Sequence, residues 1–220
     1  MSIKEAYNQW ASQYDSQANK TRDLEAYALR SLLADYKFKA ILEVGCGTGK
    51  NTSWLYHQTQ HLTAVDFSEN MLEQARQKVE AEHIEFRQAD IQQTWEFADR
   101  PYDLITFSLV LEHINDLHAI FRKASKVLLP GGYIYVGELH PFKQYTGTKA
   151  NFEQNNTKTE LECFVHHKSD YIQAALNNGL ALKGFEEFFD KEDGKPPRIL
   201  ALLFQKDKKK KKGSGYIARL

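Results

Sequence analysis

The segment Glu43-Val-Gly45-Cys46-Gly47-Thr-Gly49 holds the residues whose types and spacing say most about chemistry. An apolar run, Ile41-Leu-Glu-Val44, leads into three glycines on alternate positions. Without a Cβ the backbone there can take φ > 0 and a ligand can lie almost against the main chain, which suits a nucleotide-type cofactor. The dinucleotide fingerprint would place its third glycine at position 50, where Lys50 stands, so the spacing departs from that of an NAD site. No hydride-transfer constellation accompanies the turn. Two more acids, Asp66 and Asp90, close the strand-like segments that begin at Leu62 and Ile84. An acid at such a position needs a partner.

These residues need elements to hold them. Strand signals near 40–45, 62–66, 84–87, 103–108 and 132–138 alternate with helical stretches near 21–36, 51–59, 69–81 and 115–128. That alternation predicts a parallel sheet covered on both faces. Ser68 is a helix cap followed by acids in the first turn, and Pro130-Gly131-Gly132 turns the chain into a fifth strand. Leu180–Phe189 and Arg198–Gln205 read as two strands around an Asp-Gly-Lys-Pro-Pro loop, a closing hairpin. The fold class is α/β, a Rossmann-like doubly wound seven-stranded sheet, mostly parallel with an antiparallel C-terminal hairpin. In such sheets ligands lie beyond the carboxyl ends of the strands, where Glu43, Asp66, Asp90 and Phe107 converge.

Glu43-x-Gly45-x-Gly47-x-Gly49 resembles motif I of the class I S-adenosylmethionine (SAM) dependent methyltransferases, and the later motifs follow in order. Leu62-Thr-Ala-Val-Asp66-Phe-Ser resembles the second strand, Ile84-Glu-Phe-Arg-Gln-Ala-Asp90-Ile91 the third, and Tyr102-Asp-Leu-Ile-Thr-Phe107 through His113-Ile the fourth with its loop. Leu128-Leu-Pro-Gly-Gly-Tyr-Ile-Tyr-Val136 resembles the turn into the fifth. The opening Tyr7-Asn-Gln-Trp10-Ala-Ser-Gln-Tyr14-Asp15 is similar to that of the ubiquinone and menaquinone methyltransferase-like small-molecule group, where the segment folds over the cofactor. The same aromatics also suit an amphipathic helix filling a groove. The resemblance covers about residues 1 to 205 and implies SAM as cofactor, S-adenosylhomocysteine (SAH) as product, and in-line methyl transfer to a small molecule. It implies that Asp66 grips the ribose hydroxyls and Asp90 the adenine amino group. Phe67 and Met71 sandwich the adenine, and the Ile91 amide addresses its ring. Gly45, Cys46, Gly47 and Gly49 form the turn along the amino-acid portion, with Glu43 and the Phe107 carbonyl at its ammonium and Tyr14 in the cover. Phe67, Met71 and Ile91 also read as core.

The sulfonium already carries the activation, so the protein must mainly align the acceptor and exclude water. For a hydroxyl or amine acceptor, His140 in Glu138-Leu-His-Pro is the first candidate base and His113 the second. His140–Ser169 breaks the alternation and reads as an insertion over the site, with Lys149–Gln154 and Lys158–Phe164 pairing around Asn155-Asn156. Tyr7, Trp10, Tyr145, Phe152, Phe164 and His166 are the candidate acceptor contacts. A surface excursion is the alternative reading of the insertion. Cys163, His140 and the pair His166-His167 lack a carboxylate at ligand spacing, so no metal is expected.

The length of 220 residues suits one domain over 1–207, with a cover at 1–36, the insertion at 140–169, and a basic flexible tail at 208–220 that has the look of an added linker. That tail carries six basic residues, leaving 23 basic against 29 acidic in residues 1–207. An acidic body argues against a nucleic-acid partner. Two isolated cysteines, no long apolar run and no secretory pattern lead to the expectation of a cytoplasmic monomer or homodimer without integral membrane association. The alternatives are a non-catalytic SAM-binding subunit and an NAD-dependent oxidoreductase.

Overall fold

A computed structural model describes residues 2–16, 18–148, 151–154, 157–190 and 195–208, with the segment 151–160 described by its strand pairing. The chain opens with α1 (Ile3–Trp10), started by a capping box in which Ser2 and Glu5 satisfy each other's amides, and α2 (Lys20–Leu33), capped by Asn19. Then come β1 (Phe38–Val44), α3 (Thr52–Leu55), β2 (Thr59–Asp66), α4 (Glu69–Lys78), β3 (Ile84–Gln88), β4 (Tyr102–Ser108), α5 (Leu117–Val127) and β5 (Leu128–Leu139). The last part holds α6 (Pro141–Tyr145), the hairpin β6 (Asn151–Gln154) and β7 (Thr157–Glu160), α7 (Lys168–Leu176), β8 (Leu180–Phe188) and β9 (Ile199–Lys206).

Seven strands form one sheet in the order β3-β2-β1-β4-β5-β9-β8. All pairs on the β3 side of β5 are parallel, and β9 is antiparallel to both β5 and β8. Alternation along each strand divides the core into two layers. Leu42, Ile105, Ile134 and Leu202 belong to one, with Phe121 of α5 and Tyr171 of α7; Ile41, Leu104, Tyr135 and Leu203 belong to the other, with Leu29 and Leu33 of α2. Removing a side chain such as Phe121 from water contributes about 2–3 kcal/mol.

The sequence expectations for the sheet hold, including its closing hairpin, while the short hairpin pairs only Asn151–Gln154 with Thr157–Glu160, its second arm ending before the expected Phe164. The helix expected over 51–59 does not. It lasts from Thr52 to Leu55, tightens into a 3-10 turn at Tyr56–Gln58, and gives way to β2 because Thr59 already pairs with Phe38. Likewise α4 ends at Lys78, where Val79 turns extended, rather than at 81, and α5 begins at Leu117, after its Asp116 cap.

Candidate functional site

The crossover at the carboxyl ends of β1 and β4 leaves a cavity whose floor is the glycine turn. Gly45 and Gly47 lie beneath it, Asp66, Phe67 and Met71 form one wall, and Asp90 and Ile91 the other. Gly47 has φ +53, and a Cβ built on it would meet no atom within 4 Å, so its bare backbone faces open space. Asp66 is aimed by two amides: Oδ2 accepts from Gly47 N at 2.9 Å and Oδ1 from Ser68 N at 2.9 Å. Each oxygen keeps a lone pair for a ligand hydroxyl. Burial pushes the Asp66 carboxyl up to about 6 despite those amides. Asp90 Oδ1 accepts from Gln92 N at 2.8 Å, which fixes the loop after β3.

Past the glycine turn the space continues between Glu25, Glu43, Asn51 and Arg22. Glu43 accepts from Thr52 Oγ1 at 2.6 Å, and burial pushes its carboxyl up to about 8. Glu25, on α2, accepts from Asn51 Nδ2 at 2.8 Å and from the Tyr135 hydroxyl at 3.2 Å, and burial pushes it up to about 7. The Asn51 Oδ1 is buried with no hydrogen-bond partner among the described residues. Two buried carboxyls and an open acceptor oxygen call for a cation. The Arg22 guanidinium, 3.9 Å from the Tyr14 ring centroid and donating to Tyr14 O at 2.6 Å, offers positive charge beside them. A zwitterionic amino-acid group fits this end.

A further cavity lies on the other side of the aromatic cover, between Trp10, Arg22, Glu112 and Leu139, and shares Tyr7, Tyr14 and Leu109 with the first. Leu109 stands at this junction in the left-handed region, φ 54, held by its amide on Gly137 O at 2.8 Å. That conformation costs a leucine about 1–2 kcal/mol, a kind of strain that clusters at functional sites. The loop carrying it is fixed by Glu138, whose Oε1 accepts from Val110 N at 3.0 Å and Leu111 N at 2.8 Å. The cover α1 is tied down by polar contacts. Asn70 Nδ2 donates to Asn8 O at 3.0 Å, and Asp15, beyond its end, meets Lys78 at 2.7 Å and Thr48 Oγ1 at 2.8 Å.

Most residues singled out from sequence therefore meet: Tyr7, Tyr14, Gly45, Gly47, Asp66, Phe67, Met71, Asp90, Ile91 and His113 line the first cavity, Glu43 and Cys46 its extension, and Trp10 the further cavity. Others do not. His140 is 0% exposed and lines none of these cavities. Its Nδ1 accepts from Phe142 N at 3.2 Å and its Nε2 faces Glu187 Oε1 at 2.9 Å, so the ring caps α6 instead of facing an acceptor. Tyr145 is 53% exposed and bonded to His167 Nδ1 at 2.6 Å. His166 is turned to Ile114 O at 2.7 Å, behind the loop. Phe164 serves through its amide, which donates to Glu112 O at 2.7 Å, and its side chain lines none of the three cavities. Gly49 makes room for α4, since a Cβ there would come within 3.1 Å of the Ala75 Cβ. The Phe107 ring stacks on Phe121 in the core, and Phe107 lines none of the three cavities. The Phe152 side chain lies outside the described residues. Arg22, Glu25, Asn51, Leu109, Glu112 and Glu138 carried no sequence signal, because only the packed fold brings them to the strand ends.

An open doubly wound sheet with a bare glycine floor, an acid at the end of β2 and a zwitterion-sized extension defines a Rossmann-like domain for a nucleoside cofactor carrying an amino acid. A methyltransferase-domain family matches residues 42–136. The malonyl-[acyl-carrier protein] O-methyltransferase of Priestia megaterium is 32% identical over 186 residues, covering 79% of this chain and 67% of that protein. The enzyme of the same name from Bacillus cytotoxicus is 32% identical over 137 residues, 60% of this chain and 47% of that one, so the chain spans about half the length of some curated relatives it matches. Among solved structures, the N-methyltransferase NodS from Bradyrhizobium japonicum WM9 in complex with SAH shares the fold, with TM-score 0.70, 19% identity, and coverage of 92% of this chain and 97% of that one. The chain belongs to the class I SAM-dependent methyltransferases, an enzyme family whose cofactor is SAM. No helix among the described residues is long and apolar enough to cross a membrane.

Proposed function

We propose that this protein transfers a methyl group from SAM to a small-molecule acceptor seated in the cavity beneath Trp10. The observation that carries this reading is the junction itself: a cofactor-shaped cavity and a second cavity share Tyr7, Tyr14 and Leu109. In the first, Asp66 would hold the ribose hydroxyls, Phe67 and Met71 the adenine faces, and Asp90 with the Ile91 amide its edge. Glu43, Glu25 and Asn51 Oδ1 would receive the ammonium and Arg22 the carboxylate. The cofactor supplies an activated methyl on a sulfonium. The residues of the chain supply alignment and dryness, with Tyr7, Trp10 and Tyr14 shielding the junction from water. The relatives' names point to oxygen acceptors, and the NodS name to nitrogen. The acidic body goes with a small-molecule rather than a nucleic-acid acceptor, and two isolated cysteines go with work in the cytoplasm.

The test is calorimetric titration with SAM, SAH and NAD, followed by transfer of labelled methyl from SAM to a panel of hydroxyl, amine and carboxylate acceptors. Micromolar binding of SAM and SAH with labelled product is expected. Binding of NAD alone, or SAM binding with no labelled product from any acceptor, would sink the proposal.

A further inference from the structure

Tyr7 and His113 meet at the junction of the two cavities, and their hydrogen bonds fix where the proton sits. His113 Nδ1 lies 2.9 Å from the Glu162 carbonyl oxygen. A carbonyl only accepts, so Nδ1 carries the hydrogen. Burial holds this imidazole below its ordinary value, so at neutral pH the ring is uncharged and Nε2 is a bare lone pair. The Tyr7 hydroxyl, 2.9 Å from Nε2, is therefore the donor. Its oxygen keeps its own lone pairs, and Tyr7 lines both cavities.

Acidic side chains stand beside the ring. Glu112, Cys163 and His113 bring a carboxylate, a thiol and the imidazole within 4.8 Å of one another, and Glu112 Oε2 is buried without a partner among the described residues. The groups that face the pair are Asp66 in the first cavity, Tyr14 in both, Glu112 in the further cavity, and Cys163, all of them acids. Burial opposes a charged ring, and the Glu112 carboxyl beside it, itself pushed up to about 7 by burial, offers a charge partner once ionised.

The geometry points to Tyr7 and His113 as a proton relay serving a hydroxyl acceptor, phenolic or enolic, in the further cavity; this rests on the methyltransferase reading. The acceptor O–H donates to the Tyr7 oxygen. As the acceptor oxygen bonds to the methyl carbon, the carbon–sulfur bond breaks and its electron pair stays on sulfur. The hydroxyl proton moves to Tyr7 while the Tyr7 proton moves to His113 Nε2. One positive charge thus passes from sulfonium to imidazolium. A carboxylate acceptor is already anionic and has no use for the relay. Tyr7 is the catalytic residue here; His113 acts through it.

The experiment uses the full chain with labelled SAM and three probes, catechol, benzylamine and benzoate, from pH 5 to 9. Catechol is expected to be the acceptor, with Tyr7→Phe lowering kcat about 100-fold or more while SAH affinity stays within about threefold. In the wild type, rate should fall on the acid side as His113 takes up a proton. His113→Gln should remove that limb and leave a rate that climbs about tenfold per pH unit with ionisation of the acceptor. A merely structural pair would lose rate equally at every pH. Nitrogen-15 NMR of the SAH complex reads the tautomer directly, and a hydrogen on Nε2 would overturn the relay. So would methylation of benzoate or benzylamine in preference to catechol, or catechol methylation indifferent to Tyr7→Phe. Transfer to no probe by protein that binds SAM would sink the methyltransferase reading itself.

Discussion

The Ser68 hydroxyl donates to Asn8 Oδ1 at 2.6 Å, and the Ser68 Oγ also accepts from Met71 N at 3.2 Å. One side chain thus caps α4, whose first turn carries Met71 in the cofactor cavity wall, and fastens α1 over that wall. Helix cap and cover are a single joint. Asn8→Ala should weaken SAM binding about fivefold, the worth of one hydrogen bond, without lowering the unfolding temperature much. Calorimetry beside thermal denaturation checks both halves.

Asp66→Ala should weaken SAM by about 1–3 kcal/mol, through loss of a charged acceptor held by two amides. Titration of the variant measures it, and unchanged affinity would remove Asp66 from the ribose site.

Arg22→Met keeps much of the apolar stem but removes the guanidinium beside Tyr14 and the extension of the cofactor cavity. Affinity for SAM should fall by about 1.5–3 kcal/mol, the range for hydrogen bonds to charged groups. Adenosine, which lacks the amino-acid portion, should bind wild type and variant alike. If adenosine suffers equally, Arg22 supports the cover and does not touch the carboxylate.

The buried carboxyls predict a pH signature. Burial raises Glu25 to about 7, Glu43 to about 8 and Asp66 to about 6. For groups raised on folding, the stability they contribute is full below the ordinary carboxylate range and is lost as pH rises through these values. The free protein should therefore unfold at lower temperature at pH 8.5 than at pH 5.5. A bound cation favours the ionised carboxyls, so SAM affinity should climb between about pH 6 and 8, with proton release on binding. Calorimetry in buffers of different ionisation enthalpy detects those protons.

His140→Ala should cost about 1–3 kcal/mol of stability, since it leaves the Phe142 amide uncapped and Glu187 without its imidazole partner. The activity of folded enzyme should remain within about threefold, because the ring lies outside the cavities and contributes no transition-state contact. A large loss of kcat at unchanged stability would restore His140 to the site.

The sheet was legible because strands buried on both faces read as apolar runs, and the glycine turn because three alternate glycines have few other uses. The acids at Glu43, Asp66 and Asp90 were legible from their place at strand ends. His140 was placed at the end of β5 correctly, yet its ring turned away. The need of the Phe142 amide for a cap is a local contest that strand assignment does not register. Arg22 and Glu25 sit on α2, far from the glycines in sequence, and nothing in their neighbours marks them. Leu109 offered no sign at all, since its left-handed backbone goes with a hydrogen bond from its amide to Gly137 O, a contact only the folded sheet creates.

The floor of the first cavity is made by strand ends within residues 42–136, whereas the further cavity adds to Leu109 and Glu112 of that span residues from both flanks, Tyr7 to Arg22 on one side and Leu139 to Thr148 on the other. Exchanging those short flanking segments would thus reshape the further cavity and leave the glycine floor of the first in place.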